Sequence, residues 1–442
     1  MTFSDGEAFN ADAVCKNFER MFDQNAAAQS GPAEYWGYTM QAFKDKAADS
    51  LYKGCTAKDA NTAVLTINKA TSKFPAMLSL SSFSMQSPKA MTAGNANDVK
   101  AQGEGFVYPS YSMNPVGTGA YKLEKYDQAK KTVSLVANES YWGEKPKTSR
   151  IIFKIIPDES TRRQELQAGS IDGYDLPNPV DWKGLEDEGN KVEVRPAFNI
   201  LYLGLNPEKN PKLKDVKIRK ALYQAINREQ LVQSQLPEGA SVATQMMTDT
   251  VAGYNKSLQP VAYDTAAAKQ VLDGLTLTFA YPSEVTRPYM PNPQKIHEAI
   301  RRDFEAAGVK VNVVTKPWNG GYLDGVDAGA YDAFLLGWTG DYNSADNFIG
   351  RFFGNLQTND FHTKATDYGA TLAKELSDAD GTVDEAQRTK KYEEINKKIV
   401  EQYLPALPLT HSPPALVTSS KVEGMVVSPL TAEEFNTVQV KK

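Results

Sequence analysis

An α/β protein of more than one domain is expected, and three observations predict it. The chain has 442 residues, and at roughly 150 residues per domain that length points to two or three domains. Its residues are 41% hydrophobic and 23% charged, ordinary globular usage that can bury sizeable cores. Twice, at 151–168 and 275–314, an apolar run leads through a turn into an amphipathic helix, the unit from which α/β domains are built.

Taken in order, the first element is a helix capped by Asn10 and running to Phe22, with Val14, Phe18, Met21 and Phe22 at helical spacing and Cys15 beside that stripe. DANTAVLTI (59–67) reads as a short strand, and Phe74 to Met77 begins another buried segment. NPVGTGAYKL (114–123) is a turn-rich entry into a strand, and Thr132 to Val136 is its antiparallel neighbour. A strand at Ile151 to Ile156, a turn at Pro157-Asp158 and a helix from Ser160 to Ala168 stopped by Gly169 follow.

After a strand at Ile200 to Leu205, the Pro- and Asn-rich NPEKNPKLKD marks a break, so a new domain is expected near residue 200. Asp215 caps a helix that turns Val216, Ile218, Leu222, Ala225 and Ile226 inward. Leu275 to Ala280, Ile296 to Ala307 and Val309 to Val314 read as strand, helix and strand, with a loop at 282–293 and Gly308 as the helix stop. A polar helix with Tyr392, Ile395, Ile399 and Tyr403 as its stripe spans 383–403, before the Pro-rich LPALPLTHSPPAL with its strand-like pieces.

Composition and motifs exclude several function classes. Forty-nine Lys and Arg against 54 Asp and Glu give a net charge of -5, with no block of like charge, which argues against nucleic acid as a partner. No apolar run approaches the roughly 18 to 20 residues of a membrane-spanning helix. MTFSDGEAFNADAV has neither the basic nor the apolar region of a secretory signal, so the protein is cytosolic or its export signal lies outside this chain. His297, His362 and His411 lie far apart, and no zinc-binding spacing occurs, so no metal and no cofactor are expected. There is no P-loop and no nucleophile elbow, and Gly117-Thr118-Gly119 leads into a strand and reads as a tight loop. Whether Cys15 and Cys55 are bridged is left open by their spacing.

One segment stands out, AFLLGWTGDYNSADNF (333–348). An apolar strand that ends in Gly337, Trp338, Thr339, Gly340 and Asp341 puts an indole and a carboxylate at the mouth of a sheet, where α/β proteins place ligands. Arg287 and Tyr289 lie in the loop between the strand at 275–280 and the helix at 296, and Trp318 follows the next strand. A carboxylate, a guanidinium and two tryptophans on neighbouring loop ends would suit a zwitterionic ligand with an apolar middle.

These residues resemble the family 5 extracellular solute-binding proteins of ABC importers, and among them the dipeptide binders. The likeness runs in order through FSDGEAFNADAV, NPVGTGAYKL, YWGEKP, IPDESTRRQELQAGSID, LNPEKNPKLKDVKIRKALYQAINRE, RPYMPNP, GWTGDYNSADNF and LPALPLTHS. It implies a two-lobed periplasmic-binding-protein-like fold (type II, cluster C) with an additional domain on the first lobe. The division would be 1–110 for the additional domain, 111–200 and 414–442 for the first lobe, and 201–413 for the second lobe.

The resemblance also implies roles. Asp341 would pair with a peptide's α-amino group and Arg287 with its carboxylate, while Trp318 and Trp338 wall the pocket and Tyr289, Gly337 and Thr339 complete it. Longer-peptide binders carry arginines where this chain has Val326 and Leu335, which favours a short peptide. Where the family often has Asp-Pro, this chain has Ser344-Ala345, with Asp341 retained. Family members begin with a signal sequence and the first strands of the first lobe, so this chain is expected to be an N-terminally truncated record of an exported parent. That compartment favours a Cys15–Cys55 disulfide. The expected protein is a non-enzymatic, monomeric, extracytoplasmic receptor, lipid-anchored if Gram-positive, that closes on a dipeptide or short peptide and hands it to a membrane permease. The alternative is the same fold for a longer oligopeptide, a metal chelate, haem, glutathione or an oligosaccharide.

Overall fold

The computed structural model describes residues 1–103, 105–357 and 359–441. They form two compact units. The first comprises Met1–Ile156, Lys421–Val426 and the C-terminal stretch from Glu433; the second comprises Pro157–Ser420 and Val427–Ala432.

In the first unit the helix Ala11–Phe22 is capped as its sequence implies, the Asn10 side-chain oxygen accepting from the Ala13 amide at 2.9 Å. Phe18 on its inner face packs among Trp36, Tyr52 and Phe83, with ring centroids 5.8 to 6.3 Å apart. Strands β1 (Tyr52–Asp59) and β2 (Thr62–Ile67) form an antiparallel hairpin. The strand expected from residue 59 therefore starts at 62. Asp59 instead opens the turn, its carboxylate accepting from the Asn61 amide at 2.8 Å. A disulfide joins Cys15 on the helix to Cys55 on β1, with Cα atoms 5.1 Å apart. Phe74–Met77 is one turn of helix, and only Met77 in it is buried. A short hairpin, β3 (Lys100–Gln102) and β4 (Gly105–Val107), precedes an antiparallel sheet of β5 (Tyr121–Asp127), β6 (Thr132–Ala137) and β7 (Arg150–Lys154) in that order.

The second unit holds two sheets. Its strands are β8 (Gly173–Asp175), β9 (Lys191–Val194), β10 (Asn199–Leu205), β11 (Ser241–Val242), β12 (Thr276–Ser283), β13 (Lys310–Pro317), β14 (Ala333–Thr339), β15 (Ala406–His411) and β16 (Ala415–Thr418). Three make a small sheet ordered β8-β16-β9, and six make a mixed sheet ordered β11-β15-β10-β14-β12-β13. Both faces of the large sheet are covered, as the two-residue alternation dictates. Leu201, Leu203, Leu205 and Leu335 face one core with Leu222, Ile296 and Phe304, whereas Ile200, Tyr202, Phe334 and Leu336 face the other with Phe348 and Phe352. Val326 and Leu335 are both buried core.

The chain passes between the two sheets twice, at 195–198 and 412–414, and the two crossings are bonded side by side. The Arg195 amide donates to the Pro414 carbonyl at 2.8 Å, Asn199 Nδ2 to the Ser412 carbonyl at 2.7 Å, and His411 Nδ1 meets the Asn199 carbonyl at 2.6 Å. Arg195, whose side chain is fully buried, reaches Asp175 Oδ1 at 2.6 Å. Both crossings lie inside the second unit, and the two units part at 156/157, 420/421, 426/427 and 432/433.

The helix Pro293–Ala306 starts three residues earlier than its apolar stripe suggested, because Asn292 caps it and Pro293 fills the first position. It carries His297, 1% exposed, between the rings of Phe279 (4.1 Å) and Tyr281 (4.5 Å). Burial drives its pKa down to about 4 from the ordinary 6.5, so the folded protein holds the ring neutral while the unfolded chain protonates it. Stability contributed by this site is present above pH 6.5 and lost as pH falls toward 4, by about 3 kcal/mol in all. Urea titrations of wild type and His297→Phe between those pH values are expected to diverge accordingly; parallel curves would mean that the ring titrates normally.

Candidate functional site

Parallel strands end at the same edge of a sheet, and three here do so. β12 is parallel to both β13 and β14, so the loop after β12 with Arg287 and Tyr289, the turn after β13 with Trp318, and the end of β14 with Trp338, Thr339 and Asp341 all emerge on one side. The sequence placed these residues on loop ends; the sheet order makes the loop ends neighbours.

The local geometry is specific. Arg287 is half-buried, and its guanidinium carbon lies 4.0 Å from the Trp318 ring centroid. Its backbone forms an isolated bridge with Met290, the two amides donating to each other's carbonyls at 3.2 and 2.9 Å, which fixes the loop. Nε of Arg287 is buried without a hydrogen-bond partner, and the side chain makes no ion pair among the described residues. The Tyr289 ring lies against Gly337, and burial, its largest influence, holds the phenol protonated well above its ordinary range.

Gly337 is required there. A Cβ would sit 2.3 Å from the Tyr289 ring and 2.4 Å from the Ile200 carbonyl oxygen. Gly337→Ala is therefore expected to destabilise the protein by about 1–3 kcal/mol through overpacking. Chemical unfolding checks this, and wild-type stability would show that Tyr289 can move aside freely.

Asp341 follows β14 by two residues and is held by Asn347, which sequence reasoning did not single out. The Asn347 side-chain oxygen accepts from the Asp341 amide at 2.7 Å, and its Nδ2 donates to Asp341 Oδ2 at 3.2 Å. The same oxygen lies 3.4 Å from Trp338 Nε1. Asn347, 5% exposed, thus ties the carboxylate and the indole to one turn. The signal for it was available: a polar residue six positions on, inside the same motif, directly before the apolar Phe348 and Ile349.

Two further residues were missed. Arg351 lies 5.6 Å from the Trp338 ring, and Phe198, on the crossing before β10, packs where a side chain on Gly340 would otherwise be. The Gly340 amide also donates to the Phe198 carbonyl at 2.9 Å. Thr339 pairs with Asn199 at the end of the β10–β14 ladder, next to that crossing. Among the described residues no cluster of metal-ligating side chains occurs.

The family profile described as Bacterial extracellular solute-binding proteins, family 5 Middle, matches residues 1–360. The chain belongs to this family. Among curated family 5 proteins, the dipeptide-binding protein of Escherichia coli K12 is 29% identical over 99% of this chain and 80% of its own length. The heme-binding protein A of Haemophilus influenzae is 30% identical over 99% of this chain and 78% of its own. A crystal structure of a dipeptide-binding protein from a Pseudoalteromonas species in complex with Met-Leu superposes with a TM-score of 0.80, at 24% identity over 98% of this chain and 84% of that one. The two-lobed binding-protein fold expected of family 5 is thereby the fold of this chain.

Proposed function

We propose that this family 5 protein captures dipeptides or short peptides for an ABC importer, with Asp341 taking the ligand's ammonium group and Arg287 its carboxylate. The observation that carries the reading is that these two opposite charges stand at the ends of adjacent parallel strands, each on a backbone fixed by its own hydrogen bonds and each beside a tryptophan. A zwitterion needs both partners, since leaving a buried charge unpaired costs roughly 2–5 kcal/mol. Ligand side chains would lie between Trp318 and Trp338, with water bridging what the protein does not touch.

No nucleophile or acid–base pair has a role in this reading, so the protein binds and releases its ligand unchanged. It works outside the cytoplasm as a monomer, on a lipid anchor in a Gram-positive parent, and delivers to a permease. We keep the division into 1–110, 111–200 with 414–442, and 201–413. In its favour, the crossings at 195–198 and 412–414 adjoin two of those boundaries and are the short segments about which closure would bend.

Calorimetric titration with dipeptides, their N-acetylated and C-amidated forms, and tri- to pentapeptides tests the proposal. Dipeptides are expected to bind, and blocking either terminus to abolish binding. The second reading, a larger ligand such as a haem or a metal chelate, is favoured by the heme-binding relative at equal identity. It predicts no response to capping.

A further inference from the structure

The first unit contains a cavity of about 550 Å³, and every residue lining it falls between Arg20 and Tyr108, apart from the strand-end site. That volume is within the roughly 300–1,000 Å³ of small-molecule sites. Aromatic rings form part of its wall: Tyr35, Phe106 and Tyr108 line it, and Tyr108 is 56% exposed. Gly31 stays bare because a Cβ would meet the Phe106 ring at 2.9 Å.

The cation in this cavity is Arg20, in the last turn of the helix Ala11–Phe22. Its Nη2 donates to the Ala96 carbonyl at 3.2 Å, its Nη1 reaches only the thioether of Met21 at 3.4 Å, and its Nε is buried with no partner. A guanidinium carries five N–H donors, and a thioether is a weak acceptor, so most of this fork is unused. No carboxylate pairs with Arg20 among the described residues; Glu34, the acid that lines the cavity, is exposed and makes no bond to it. Burial, the largest influence on Arg20, pulls its pKa below the ordinary arginine value. A carboxylate would supply two oxygens to the remaining N–H groups of Nη1 and Nη2, end-on in the paired geometry that guanidinium favours.

We propose that this cavity is a second ligand site, taking a small carboxylate with a planar apolar body, its oxygens on Arg20 and its ring among Tyr35, Phe106 and Tyr108. Its ligand needs a carboxylate and an apolar body, since Arg20 is the cation of the lining and the exposed Glu34 makes no bond to it.

The test is titration of the full chain with indole-3-acetate and with the neutral indole-3-acetamide, repeated in Asp341→Ala protein so that the strand-end site cannot contribute. The acid is expected to bind saturably in both proteins and the amide at least about tenfold more weakly, the worth of a charge-assisted pair. Arg20→Gln should remove that preference for the acid. Ser81→Trp, at an exposed position on the cavity lining, should block binding with the circular dichroism spectrum unchanged. If Arg20→Gln fails to fold, Ser81→Trp and the acid–amide comparison still decide. Equal binding of acid and amide, loss of acid binding in Asp341→Ala, wild-type binding by Ser81→Trp, or no binding at millimolar acid would each overturn the proposal.

Discussion

Asp341→Ala is expected to lower dipeptide affinity by about 2–5 kcal/mol, on the order of thirty- to several-thousand-fold. The size follows from what stays behind: a bound ligand's ammonium group with no carboxylate to meet it. Arg287→Ala is expected to act on the same scale at the other end of the ligand. Arg287→Lys should fall between, because a lysine keeps the charge but loses the planar group stacked on Trp318. Titrating each variant with free, N-acetylated and C-amidated dipeptide separates the two ends. Against Asp341→Ala the N-acetyl block should cost nothing further, whereas against Arg287→Ala it should still cost, and the C-amide should do the reverse. Wild-type affinity in both alanine variants would remove the site assignment altogether.

The second large effect is on folding. Arg219 is 2% exposed and makes no ion pair among the described residues; its guanidinium instead binds backbone carbonyls. Nε donates to Tyr403 and Leu404 at 3.1 and 3.0 Å, Nη1 to Leu213 and Lys214 at 2.6 and 2.8 Å, and Nη2 to Tyr403 at 2.5 Å. Tyr368 lies over it at 5.4 Å.

The Tyr403 and Leu404 carbonyls sit where the long C-terminal helix ends, and those of Leu213 and Lys214 in the short helical turn Pro211–Lys214. Glu385–Lys398 is α-helical, Ile399–Tyr403 widens into a π-type turn, and Leu404 stops it at φ 42°, a left-handed conformation that leaves carbonyls without helical partners. Arg219 supplies the missing donors and so sets where β15 begins. Arg219→Met fills most of the volume but donates nothing, and several carbonyls at about 1–3 kcal/mol each are then left bare. Relief of guanidinium desolvation offsets part of this, for a net loss of about 3–5 kcal/mol. Equilibrium unfolding in urea measures it, and a loss below about 1 kcal/mol would mean that water replaces the guanidinium.

The legibility of this molecule in its sequence divides along a physical line. Caps and periodicity are local, so Asn10, Asp215 and Gly308 marked helix ends where the structure has them, and the apolar runs that became β10, β12, β13 and β14 were visible as strands. The hairpin turn at Asp59–Asn61 was read as strand because a side chain's bond to its own backbone competes with extended pairing and leaves no trace in an alternation of apolar residues. The helix expected to reach Tyr403 changes character after Lys398, since a distant arginine decides how its last carbonyls are satisfied.

The candidate site divides in the same way. Sequence alone determined the residue types and their loops: a carboxylate and an indole after one apolar strand, a guanidinium after another, a second indole after a third. Only the tertiary structure decided that those strands are parallel neighbours with their ends on one edge, that Asn347 binds both Asp341 and Trp338, and that Arg287 lies on Trp318. It alone also disclosed Arg20 as a cation without a carboxylate partner on a cavity that Tyr35, Phe106 and Tyr108 also line. The reason is that pattern and capping act over a few residues, whereas strand order, close approach and the pairing of buried charges join positions tens to hundreds of residues apart, and those are fixed only when the sheets and their cores form.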